Sequence, residues 1–237
     1  MKKVLVLFSV MCLLVTAAVA QNIQLHYDLG RAMYNSLDNR PWVTTTVEMF
    51  KADKWGSTYF FVDMDYTSKG VDCAYWEIGR DLKFWEAPVA AHIEYNGGLN
   101  YINNAYLVGP NYSWNSADFS KGFTFSAMYK YIQKNPEPNS FQLTATWYLN
   151  LWKGRFTFSG FADFWREKHT DAKGNNHNLI FISEPQFWFN LNKFKHVNEN
   201  LNLSIGSEWE LSQNFAVRDG FYFIPTLAMK WTFNYSY

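Results

Sequence analysis

The chain has 237 residues, 21 basic and 21 acidic side chains, and two cysteines. That balance shows no global basic bias toward nucleic acid, and the length suits one domain of moderate size. Aromatic residues make up 20% of the chain, yet the mean hydropathy is −0.27; strands that alternate apolar and polar residues reconcile the two numbers, and continuous apolar helical spans do not.

Residues 1–20 read as a secretory signal. Lys2 and Lys3 precede an apolar run from Val4 to Val15, and Ala18-Val19-Ala20 is a small-x-small cleavage site leaving Gln21 first. A lipoprotein site at Cys12 would want small residues before it, and Met11 is bulky. Loss of Lys2 and Lys3 takes the 21 basic side chains to 19 against 21 acids, a net charge of −2. Cys73 is then alone, so no intramolecular disulfide forms. No later apolar stretch has the length of a membrane helix.

From residue 21 to 237 the period is two, and it predicts twelve strands. The first, Ile23 to Gly30, sets Ile23, Leu25 and Tyr27 against Gln24, His26 and Asp28. The second is Val43 to Lys51; Asp53 to Gly56 is a tight turn; the third is Ser57 to Tyr66. In the fourth, Ala74 to Phe84, strict parity puts Arg80 on a lipid-facing side, at ~2–4 kcal/mol near a bilayer midplane. Gly79 beside it predicts a bulge that turns Arg80 inward.

The fifth to ninth strands span Val89–Asn96, Ala105–Trp114, Gly122–Ile132, Ser140–Asn150 and Arg155–Trp165. A long polar loop is expected from Glu167 to Asn178. The tenth strand, Leu179 to Asn190, carries Pro185 as a bulge signal. The eleventh is Leu201 to Leu211. The closing stretch from Phe221 to Tyr237 alternates cleanly and ends on Phe233, Tyr235 and Tyr237, with Pro225 expected near a rim or at a bulge.

A secreted β-sandwich or lipocalin-like barrel also alternates. Against it, aromatic residues crowd the strand ends like membrane girdles, and one face is apolar on nearly every strand. The other face carries Asp28, Glu48, Asp63, Glu77, Glu94, Asp163, Glu184, Glu208 and Glu210, too acidic for a packed core. The fold expected is all-β: a 12-stranded antiparallel transmembrane β-barrel of the bacterial outer membrane. An even strand number places both termini on the periplasmic side, with the shorter connections there.

Several stretches carry a family resemblance. Val47-Glu48-Met49-Phe50-Lys51 is followed by Asp53-Lys54-Trp55 and Tyr59-Phe60-Phe61-Val62-Asp63. Trp76-Glu77-Ile78-Gly79-Arg80 and Gly160-Phe161-Ala162-Asp163-Phe164-Trp165 come later in the same order. In these motifs the chain resembles the nucleoside-specific channel-forming outer-membrane proteins, the Tsx-like porins. It looks like a diverged branch, with trimmed outer loops and without the Gly-Tyr-x-Phe close. The resemblance implies a twelve-stranded channel that passes nucleosides.

The function expected is passive diffusion of small polar solutes, nucleosides among them, through an acidic lumen lined with aromatic residues. Such a solute needs flat faces for its base and polar groups for its ribose. The lining expected is Phe50, Phe61, Asp63, Tyr75, Glu77, Arg80, Tyr148, Phe161, Asp163 and Glu208. Alternatively these carboxylates pair with Arg80, Lys130 and Lys230 in a network that fills a narrow barrel. A structural or adhesive barrel with a plugged lumen is the second reading. A lipid hydrolase using His26 or His92 with Ser126, Ser159 or Ser204 is the third, although no catalytic group is assigned and the chain is read as no enzyme. His169, His177 and His196 lie in or beside turns, in spacings that match no ligand pattern, so neither metal nor cofactor is expected. The partners expected are outer-membrane lipids, the barrel-assembly machinery and a small polar solute, with no nucleic acid.

Overall fold

The computed structural model describes residues 20–233; the signal sequence before Ala20 and the terminal Tyr235 and Tyr237 lie outside the described residues. Alternation makes strands: β1 (Ala20–Asp28), β2 (Val43–Asp53), β3 (Gly56–Thr67), β4 (Gly70–Leu82), β5 (Val89–Gly98) and β6 (Ala105–Asn115). There follow β7 (Lys121–Ile132), β8 (Asn139–Leu151), β9 (Phe156–Thr170), β10 (Asn176–Ser183 continued by Gln186–Asn190), β11 (Leu203–Gln213) and β12 (Phe221–Phe233). A helical turn, Gly30–Met33, and a 3-10 turn, Asn35–Leu37, lie between β1 and β2.

All pairings are antiparallel between neighbours, and β1 pairs with both β2 and β12, so the sheet is a closed twelve-stranded barrel. Closure leaves no strand edge unpaired, which an apolar surroundings demands. The two faces differ as the period of two requires. On β1, Ile23, Leu25 and Tyr27 point outward at 42–45% exposure, whereas Gln24, His26 and Asp28 point inward at 2–5%. The same outward band continues through Phe123, Phe125 and Tyr129 on β7 and Leu227, Met229 and Trp231 on β12.

Several local expectations change. No bulge forms at Pro185. Ser183 and Gln186 keep one register against β9 (Ala162, Ser159) and one against β11 (Leu211, Glu208), so β10 is a single strand. Pro185 lacks an N–H, but its carbonyl still accepts from Trp209 N at 3.0 Å. Pro225 also stays in the ladder, opposite Trp209. Its hydrogen-bonding edge faces β1, where its carbonyl accepts from Leu29 N at 3.1 Å; beside it the β11–β12 pairing uses side chains, Glu208 N donating to Thr226 Oγ1 (3.1 Å) and Ser207 Oγ to Thr226 O (2.6 Å). Most of the stretch expected as a polar loop, Glu167 to Asn178, is strand, because β9 runs on to Thr170 and β10 starts at Asn176.

Gly79 makes no bulge either. The β3–β4 register runs straight through Tyr59–Gly79 and Thr58–Arg80. The glycine serves the interior instead: a Cβ there would lie 3.2 Å from His92 Cε1. The absence of a side chain gives the His92 ring its place.

The interior is not uniformly polar. In the half of the barrel away from the termini, Ala105, Leu107, Met128, Ile132, Trp165, Ile180 and Ile182 form a buried apolar cluster, with Phe161 and Phe215 packed on it. These are inward residues of β6, β7, β9 and β10, and they fill one side of the lumen.

Candidate functional site in the barrel interior

Because inward residues on neighbouring strands share a level, the ladder assembles the interior two residues at a time. Thr46, Asp63 and Tyr75 follow one another across β2, β3 and β4, as do Glu48, Phe61 and Glu77. Thr46 Oγ1 donates to the Asp63 carboxylate, and Tyr75 Oη donates to Glu77 Oε1. Phe61 meets Tyr75 edge-on at 5.7 Å between ring centroids. On β8 and β9, Thr144 Oγ1 donates to Asp163 Oδ1 at 2.6 Å.

Two acidic groups result. Glu77, Glu94 and Asp163 interact with one another and share Lys130. Glu48 and Glu208 interact electrostatically with Lys230, and Asp63 and Glu184 with Glu208. Each lysine lies over an inward indole: Lys130 over Trp165 at 4.5 Å, Lys230 over Trp188 at 4.1 Å. Lys130 Nζ also donates to Gln142 Oε1 at 2.6 Å. Cation–π contact, joined at Lys130 by one acceptor, holds each ammonium on the wall.

Ion pairs elsewhere in the interior are local. His92 lies between Asp81 (2.8 Å) and Glu94 (3.0 Å). At the mouth away from the termini, Arg40 bridges Asp28 (2.7 Å) and Glu210 (2.8 Å), and Arg218 donates to the same Glu210 at 2.5 Å. Among the described residues, no salt bridge reaches Asp63, Glu77, Asp163 or Glu184. The lumen therefore presents carboxyl groups in excess of basic side chains.

Phe61, Asp63, Tyr75, Glu77, Phe161, Asp163 and Glu208 all point inward. Phe161 is packed against the apolar cluster rather than standing free. Phe50 has inward parity but lies at the rim, opposite Ala20 and Tyr59, at 47% exposure. Tyr148 sits toward the same rim, its Oη donating to Asn115 Oδ1 at 2.8 Å. Arg80 does not line the lumen. It keeps outward parity near that end and forks onto Asp53 through Nη1 (2.8 Å) and Nη2 (2.9 Å), beside Thr58. A membrane-facing arginine is tolerable there because the turn carboxylate neutralises it close to the water.

The arginines that do reach the interior, Arg40 and Arg218, come from loops, where alternation carries no information. Trp188 was legible by parity from Glu184 and Gln186. The serines considered for hydrolysis bond elsewhere: Ser126 Oγ donates to Asn111 Oδ1 (3.1 Å) and Ser204 Oγ to Asn190 Oδ1 (2.7 Å). His26 contacts Gln24 (3.0 Å) and Thr226 (3.3 Å).

The family model described as "Domain of unknown function (DUF5020)" matches residues 20–233. None of the curated proteins matches. Among solved structures, the chain is similar to the NanC porin in a rhombohedral crystal form, at 9% identity over 92% of this chain and 100% of that one, with a TM-score of 0.54. It is also similar to the KdgM porin in complex with disordered oligogalacturonate, at 8% identity over 91% and 99% of the two chains, with a TM-score of 0.50. At such identities the likeness is one of fold.

Proposed function

This chain belongs to the family described as Domain of unknown function (DUF5020), and we propose that its barrel is an outer-membrane channel for passive diffusion of small polar solutes. The observation that carries the reading is the contrast of faces: a continuous apolar, aromatic exterior around an interior where Asp63, Glu77, Asp163 and Glu184 lack cationic partners among the described residues. A closed barrel with such an exterior suits a bilayer, and an interior with unneutralised carboxylates suits neutral hydrogen-bond donors and cations. Porin folds at comparable length support it. In this reading both termini face the periplasm, outer-membrane lipids cover the apolar band, and the barrel-assembly machinery folds the chain. No catalytic step is required.

Nucleosides are the solute class proposed. Phe61 and Tyr75 offer aromatic faces beside Asp63 and Glu77, and β9 with Phe161 and Asp163 stands six strands round the ring, on the opposite wall. Stacking on such rings contributes ~1–3 kcal/mol per base. Liposomes containing the protein should swell faster in nucleosides than in neutral sugars of like size, and Phe61→Ala should remove the difference. Equal rates with wild-type protein would sink the nucleoside assignment and leave the channel standing.

The apolar cluster favours a second reading, a structural or adhesive barrel whose lumen is filled. Planar-bilayer recording separates the two. Discrete conductance steps support a channel, and a silent bilayer with correctly folded protein supports the plugged barrel.

A further inference from the structure

We propose that the loops at the barrel end away from the termini form a binding site for a zinc-like divalent transition-metal cation, with Asp171, His177 and Asp219 as ligands. Asp171 lies in the turn between β9 and β10, His177 is in the first turn-proximal part of β10, and Asp219 comes from the β11–β12 connection. One donor atom of each lies within 4.8 Å of the other two. Backbone holds the two loops together, Ala172 N donating to Val217 O at 2.9 Å.

The spacing already approaches coordination geometry. Tetrahedral ligand atoms about 2.0–2.1 Å from zinc stand roughly 3.3 Å apart; His177 Nε2 and Asp171 Oδ2 are 2.9 Å apart. Asp171 is aimed by its own turn, accepting from Lys173 N (2.8 Å), Asn175 N (2.8 Å) and Asn175 Nδ2 (3.0 Å).

His169 stands beside the cluster, outside the three-residue set. It is the cross-strand partner of His177, with ring centroids 5.4 Å apart. Its Nδ1 is 3.1 Å from the Glu167 carbonyl oxygen. A carbonyl only accepts, so Nδ1 carries the proton and Nε2 carries the lone pair. That Nε2 is buried with no hydrogen-bond partner. Imidazole with carboxylate selects zinc, copper or nickel over calcium and magnesium. Lys173 Nζ now sits 3.0 Å from Asp219 Oδ2, but its side chain is 72% exposed and moves aside at little cost.

The test is calorimetric titration of Zn2+, with Ca2+ as control, into tag-free, chelator-treated full-length protein folded in detergent. One equivalent of Zn2+ should bind, and His177→Ala and Asp219→Asn should each weaken it at least about tenfold. Heat-dependent gel mobility verifies that each variant is folded; Asp219, in a partly exposed loop, remains informative should His177→Ala not fold. Absence of saturable Zn2+ binding to folded wild-type protein, or undiminished binding by folded Asp219→Asn, overturns the site. Neither result touches the transport reading.

Discussion

At the scale of single residues, charge placement governs what the interior can do. Glu77 and Asp163 belong to one acidic group that shares Lys130, and neither has a salt bridge among the described residues. Glu77→Gln with Asp163→Asn should therefore shift the reversal potential in a salt gradient toward anions, whereas Arg80→Ala should leave it unchanged, because Arg80 is outside the lumen on Asp53. A selectivity change in Arg80→Ala would contradict that placement. The acids were legible from alternation, since each occupies the inward parity of its strand. Arg80 was misjudged because Gly79 reads equally as a bulge or as room for a facing ring, and only the position of His92 distinguishes them.

At the scale of elements, the seam between β11 and β12 depends on one hydroxyl. Pro225 turns its carbonyl to β1, accepting from Leu29 N at 3.1 Å, and on the β11 side Thr226 Oγ1 accepts from Glu208 N while also contacting His26 Nδ1 at 3.3 Å. Thr226→Val keeps the shape and removes the acceptor, leaving a buried amide unpaired. The expected loss is about 1–3 kcal/mol in denaturant unfolding of the protein in detergent or lipid, and a variant as stable as wild type would show that the ladder does not need it. Strand number and type were readable because alternation over nine to 15 residues is a strong signal. Strand ends were not: β9 extends through the charged run Arg166–His169 because β10 continues the ladder there, and polarity alone looks like a loop.

At the scale of the whole molecule, closure is the property on which the rest depends. β12 is bonded to β11 on one side and β1 on the other. A chain ending at Gly220 would expose two strand edges and should lose the heat-dependent shift in gel mobility seen for folded barrels in detergent. A truncated chain that still shifts would mean that eleven strands close by themselves. The balance between the acidic groups and the apolar cluster then decides whether solutes pass, which conductance reads directly.

The sequence by itself determined that the chain is all strand, that one face of every strand is apolar and the other polar, and that twelve strands close with the last against the first. Those properties are carried by a period of two, which needs no knowledge of neighbours. Only the tertiary structure decided which inward side chains meet. Packing across the barrel gathered Leu107, Met128, Trp165 and Ile180 into a core within an interior expected to be polar throughout. It brought Arg40 and Arg218 from separate loops onto Glu210. It also set Asp219 beside Asp171 and His177, a cluster invisible to spacing because its members belong to different loops. Alternation specifies a direction for each side chain; distances between strands far apart in sequence depend on how the whole sheet closes.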